Sequence, residues 1–231
     1  FRGRIYGLPF MYAPQMLYYR KDLFADSALR AEFERETGAS LRPPTTLKEY
    51  NAVAAFFTRS TDAVDYGISV AAAYNECFAP ELYFRLHAFQ SQIIGDDGRP
   101  AFDHPQTLKA YINFRRTIHL AKPDYLQATD VSIVDDFLRG DTAMLITYPA
   151  FLTNSTDLRR SSTSIGCSLV PGRRPLLGGW SFGVSRQSAQ REQALAFLRW
   201  TCDEGISNYF TIMGGQTAAL SASSITVSPC R

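Results

Sequence analysis

A chain of 231 residues, 45% hydrophobic and 20% charged, is long enough to bury a sizeable core without metal or disulfide staples. Its composition excludes a disordered, collagen-like or low-complexity chain. The formal net charge is only +2 and no basic run exceeds two residues, so the footprint of a nucleic-acid-binding protein is missing.

From the N-terminus, Gly3 to Pro9 leads into Met16-Leu17-Tyr18-Tyr19, an apolar run that reads as strand, and Lys21 to Phe24 turns into helix. Ala28 to Thr37 reads as helix, stopped by Gly38. Thr46-x-x-Glu49 forms a capping box, and behind it Leu47, Tyr50, Val53, Ala54 and Phe57 share one face of an amphipathic helix. Tyr66 to Val70 reads as strand. Pro80 is expected at a helix start, with Leu82, Leu86, Phe89 and Ile93 as the apolar stripe. Asp96-Asp97-Gly98 reads as a turn, and Asp103 and Pro105 open a helix whose stripe is Leu108, Tyr111, Ile112 and Ile118. Asp135 to Arg139 reads as a short helix closed by Gly140, before a buried strand from Ala143 to Ile146. Ile165 to Val170 and Phe182 to Val184 read as strands. Ser188 to Cys202 is expected as a helix with Ala194, Phe197, Leu198 and Thr201 inward, continued by Ile206 to Met213. Helices interleaved with short buried strands predict an α/β fold.

Chemical motifs are few. The longest apolar stretches, such as residues 52–57 and 68–74, fall far short of the roughly 20 residues needed to cross a bilayer, so no direct membrane insertion is expected. The start carries no Met and no signal segment, and Phe1-Arg2-Gly3 reads as the middle of a longer protein. Cys77, Cys167, Cys202 and Cys230 are scattered and form no C-x-x-C pair. His87, His104 and His119 have no metal-ligand spacing, and no metal site is expected. Neither a dinucleotide fingerprint nor a P-loop is present, so no cofactor is expected. The Asn154-Ser155-Thr156 triplet is a formal glycosylation sequon.

Gly179-Trp180-Ser181-Phe182-Gly183 matches the G-x-S-x-G nucleophile elbow in form and keeps a serine hydrolase using Ser181 as an alternative. All three histidines precede Ser181, however, against the elbow's chain order, and a Gly-rich turn entering a strand is the plainer reading. The acidic pairs Asp96/Asp97 and Asp135/Asp136 read as solvated charges rather than glycosidase carboxylates. What stands out is aromatic residues at turn positions: Tyr12, Tyr74, Tyr148 and Trp180. Strand-end loops are where α/β proteins place ligands, and flat rings suit stacking on sugars.

The order of segments resembles the extracellular solute-binding proteins of ABC importers, family 1, carbohydrate type. Gly3 to Phe10 followed by Leu17 to Phe24 is similar to that family's hinge-crossing stretch. Pro44-Thr45-Thr46-Leu47-Lys48-Glu49-Tyr50 resembles its P-T-T-W-x-E-F helix start. Gly98 to Pro105 resembles G-K-x-x-F-D-x-P, Phe137 to Met144 resembles F-x-x-G-x-x-A-M, and Gly178 to Ser185 resembles G-G-W-x-x-x-I-S. Two departures stand out: Tyr148-Pro149-Ala150 replaces the family's frequent G-x-W, and Gln90-Ser91 replaces its glycine pair.

The resemblance implies a periplasmic-binding-protein-like (type II) α/β lobe with hinge-crossing segments, the first lobe being largely missing from this chain. It implies a hinge-crossing segment over 1–11, the second lobe over 12–176, a returning segment over 177–216 and a C-terminal segment over 217–231. It implies a non-catalytic protein, periplasmic or extracellular, that captures a sugar or oligosaccharide for an ABC permease in the membrane. A polyol or glycerol phosphate is the alternative ligand. Tyr12, Tyr74, Glu76, Tyr148, Gly178, Gly179 and Trp180 are the residues it brings to the ligand.

Overall fold

The structure, a computed structural model, describes residues 5–59, 62–95, 97–153, 165–213 and 215–219. The sequon, Asp96, Gly214 and Cys230 lie outside them. In chain order the first elements are β1 (Leu8–Pro14), β2 (Met16–Arg20), α1 (Lys21–Ala25), α2 (Ser27–Thr37), α3 (Leu47–Arg59), β3 (Tyr66–Ile68) and α4 (Asn75–Ala88). There follow α5 (Pro105–Ile118), α6 (Asp130–Arg139), β4 (Thr142–Thr147), α7 (Pro149–Thr153) and β5 (Ile165–Leu169). The chain continues through β6 (Leu177–Phe182), α8 (Arg191–Thr201) and α9 (Glu204–Ile212). It divides into two units, Gln15–Leu176 and the pair Phe1–Pro14 with Leu177–Arg231.

The larger unit is built on a mixed sheet of order β3-β4-β2-β5. Strand β2 pairs antiparallel with β4 and β5, and β3 runs parallel to β4. Every residue of β4 is buried, which is why this strand reads as an apolar run rather than an alternation. Alternation sorts the two faces. Leu17, Met144 and Ile146 join the cluster with Phe24 of α1 and Tyr50 and Phe57 of α3. Tyr18 and Leu145 join Ile133, Val134, Phe137 and Leu152 on the opposite face.

The caps are local and follow the sequence. Asp26 accepts from the N–H groups of Ala28 and Leu29 at 2.9 Å to start α2, and Gly38 ends it at φ 70°. The Thr46 hydroxyl accepts from the Glu49 N–H at 3.1 Å, and the Glu49 carboxylate accepts from the Thr46 N–H at 3.1 Å. Behind this box the expected stripe from Leu47 to Phe57 is fully buried. Gly140 closes α6 in the left-handed region, as expected.

Several expectations change. Pro80 lies inside α4 rather than at its start, because Tyr74 acts as the N-cap and its carbonyl accepts from Cys77 and Phe78 at 2.9 Å. On α5 the inward face is Thr107, Ala110, Phe114 and Thr117, while Leu108 and Ile112 stand exposed. The threonines can turn inward because their hydroxyls find partners: Thr107 donates to the Ala101 carbonyl at 2.9 Å, and Thr117 donates to the Asn51 side chain at 2.9 Å. Asp136 is not solvated but buried, accepting from Ser69 at 3.1 Å and Lys122 at 2.8 Å and pairing with Arg139. Gln90, where the resemblance implies a glycine, holds φ 56°, a left-handed backbone that costs a side-chain-bearing residue roughly 1–2 kcal/mol.

The smaller unit is the antiparallel ribbon β1-β6 with helices α8 and α9. Residues 177–182, expected as a turn before a strand, are themselves the strand, paired from Leu8↔Phe182 to Pro14↔Leu177. A bulge interrupts the register between Pro9 and Met11. Phe10 packs on Phe182 at 4.4 Å and on Phe210 of α9 at 5.3 Å between ring centroids. Rather than one continuing helix, the chain breaks at Cys202. Asp203 then restarts it by accepting from the N–H groups of Gly205 and Ile206 at 2.9 and 3.2 Å.

Candidate ligand-binding surfaces

On the smaller unit the ribbon presents the glycine–tryptophan segment as open strand. Gly178 lies opposite Ala13, Gly179 opposite Tyr12, and Trp180 opposite Met11. Strand alternation puts Tyr12 with Gly179 and Ser181 on one face, and Trp180 with Phe182 on the other. Tyr12 is 53% exposed and Trp180 69% exposed, so neither ring is spent on the core. Ser181 does not sit on an elbow. It lies within β6, and the next helix begins only at Arg191, so the sharp strand-to-helix turn that exposes a nucleophile is not built here.

On the larger unit Tyr74 is exposed at the N-cap of α4 and Glu76 is exposed in its first turn. Tyr148 follows β4 directly, half-buried, with its ring 6.4 Å from that of Phe151. Its hydroxyl is pushed up to about 12, first by burial and then by the negative charges of Asp130 and Glu81. Asp130, the first residue of α6, is itself raised to about 6, chiefly by burial and secondarily by Glu81, while the thiol of Cys77 donates to its carboxylate and opposes the shift. Burial likewise raises the Cys77 thiol. The fold thus brings Tyr148, Asp130, Cys77 and Glu81 together, with Cys77 next to Glu76 in the first turn of α4.

Glu81 also belongs to a buried ion pair. The Arg85 guanidinium is fully buried and donates from Nη1 to the Glu81 carboxylate at 2.7 Å. It lies 4.4 Å from the Phe84 ring centroid and 4.8 Å from that of Phe114. Its Nε and Nη2 atoms have no hydrogen-bond partner among the described residues.

Sequence reasoning missed Cys77, Glu81 and Asp130. The first two, with Arg85, recur every four residues along α4, a polar line beside the apolar Leu82 and Leu86 that helical spacing could have exposed. Asp130 gave no such signal, because an acid in the first turn of a capped helix looks ordinary.

Asp130 has a pH signature. Its native carboxyl, near 6, lies above the ordinary 3.8, so the folded state holds the proton more tightly than the unfolded chain. The resulting stabilisation is fully present below about pH 4 and is lost as pH rises through 6. Asp130→Asn, which never ionises, should match the parent near pH 4 and exceed it at pH 8 by about 1–2 kcal/mol after solvent screening. Melting curves across that range check it; a variant no more stable at pH 8 than at pH 4, relative to the parent, contradicts it.

Comparison with known proteins fits this architecture. The family model described as bacterial extracellular solute-binding protein matches residues 1–226. A maltose-bound MalE3 from T. maritima superposes with TM-score 0.75 at 20% identity, over 99% of this chain and 57% of that one. An ABC transporter solute-binding protein from Agrobacterium radiobacter K84, in complex with ribitol, gives 0.77 at 21% identity over 100% and 57%. A relative from Brucella abortus (strain 2308) is 24% identical over 204 residues, 85% of this chain and 46% of its own length. The chain therefore spans about half the length of the relatives it matches. With a family match running almost end to end over the α/β fold described above, this chain belongs to the bacterial extracellular solute-binding proteins.

Proposed function

We propose that this chain supplies one ligand-facing half of a non-catalytic binding protein that captures a sugar or polyol outside the cytoplasmic membrane and presents it to an ABC permease. The observation that carries the reading is Trp180, a large ring 69% exposed on a strand whose preceding residues are glycines. A ring so placed contributes little to the core and offers a flat apolar face to a sugar. Gly178 shares that face of the ribbon, Tyr12 and Gly179 offer a further contact surface on its opposite face, and Tyr74, Glu76 and Tyr148 supply another on the larger unit. The ligands named for the structural relatives, maltose and ribitol, are of this chemical class.

Ser181 divides binding from catalysis. In the full-length protein Ser181→Ala should change ligand affinity by less than about 1.5 kcal/mol, the net scale of one hydrogen bond. A fluorophosphonate probe should leave Ser181 unlabelled. Covalent labelling that disappears on denaturation would overturn the non-catalytic reading.

A further inference from the structure

The larger unit carries a second concavity that shares no residue with the Tyr74–Tyr148 cluster. It is an open groove of about 960 Å³ between the start of α3, the end of α4 and the outer face of α5. That volume is at the top of the range for small-molecule sites, roughly 300–1,000 Å³. The floor is apolar, formed by Leu47, Ala88, Phe89, Ile112 and Leu120. Lys48, Lys109, Arg116 and His119 line it as well, and no Asp or Glu does. Lys48, Lys109 and Arg116 make no ion pair among the described residues.

On α5 the lining residues Lys109, Ile112, Asn113 and Arg116 fall at helical spacings on one face, beside the exposed Leu108. The apolar residues that the sequence placed in the core are therefore presented outward, flanked by unpaired cations. The side-chain oxygen of Asn113 is buried and has no donor among the described residues.

We infer that this groove docks an acidic segment of a protein partner carrying apolar side chains. Charge complementarity demands an anion, and cations spread along two turns of α5, about 10 Å, suit a chain of charges better than a single point charge. The apolar floor demands apolar side chains. The inference is independent of the ligand proposal, since the two share no residue.

The test uses the full-length protein and a fluorescein-labelled twelve-residue probe peptide of Glu, Leu and Ser, followed by anisotropy at low and high salt. The parent should bind it, with affinity falling as salt rises. The Lys109→Glu/Arg116→Glu double variant, changed only at exposed positions, should bind at least about tenfold more weakly with an unchanged melting curve. Failure of the peptide to bind, or equal binding by the charge-reversed variant, overturns the proposal. So does binding to phosphatidylglycerol vesicles that the charge reversal abolishes while the peptide stays free, which would make the groove a membrane face.

Discussion

Glu81→Ala should destabilise the larger unit by about 3–5 kcal/mol, among the largest effects of any single substitution in the chain. Arg85 is fully buried, and among the described residues its polar partners are both on Glu81, the carboxylate and the backbone carbonyl. Removing the carboxylate strands a guanidinium that already has two unsatisfied nitrogens. The aromatic rings of Phe84 and Phe114 offset only part of its desolvation. Replacing both partners by apolar residues of similar size, Glu81→Leu with Arg85→Met, should recover most of the loss, because no charge is then left to bury. Urea unfolding measures both variants. A single variant within 1 kcal/mol of the parent, or a double variant no better than the single, contradicts the account.

Trp180→Ala should weaken binding of the sugar or polyol by the full-length protein by one to two orders of magnitude. Stacking contributes about 0.5–1.5 kcal/mol beyond area, and the lost burial adds roughly 25 cal/mol for each Å² of ring covered. Trp180→Phe keeps a ring and should retain most of the affinity. Because the side chain is 69% exposed in this chain, neither change should alter the fold by more than a small amount. Calorimetric titration of the three proteins separates the outcomes, and an alanine variant with parental affinity would remove Trp180 from the ligand surface.

How much of this was legible in the sequence depends on whether the deciding contacts were local. Helix α3 was fully legible, since its capping box and apolar stripe lie within thirteen residues of one another and reinforce each other. The stops at Gly38 and Gly140 were legible because a left-handed backbone favours glycine. The inward face of α5 was not. It turns on Thr107 and Thr117, whose hydroxyls are satisfied by Ala101 and Asn51 only once the fold has formed. The strand at residues 177–182 was hidden for a related reason, as its hydrogen-bonding partner is β1, at the far end of the chain.

For the candidate site, exposed aromatics beside turns and glycines were readable because they break the pattern of a core. Asp130 and Glu81 were not, because what distinguishes them is the desolvation that raises both carboxyls, which the folded chain sets and no spacing records. The resemblance to a family supplied what periodicity could not, the order of segments along the whole chain.

The proposal to test is that this chain helps to bind a sugar or polyol rather than to transform it. Thermal denaturation of the full-length protein against a panel of mono-, di- and oligosaccharides and polyols tests it most directly. A ligand that binds only the native state raises the midpoint by an amount that grows with its concentration, about 2.7 kcal/mol of stabilisation at one hundred times Kd. The account predicts at least one such ligand, recovered chemically unchanged after incubation. A panel that leaves the midpoint unmoved, or a stabilising ligand that is recovered cleaved, would contradict it.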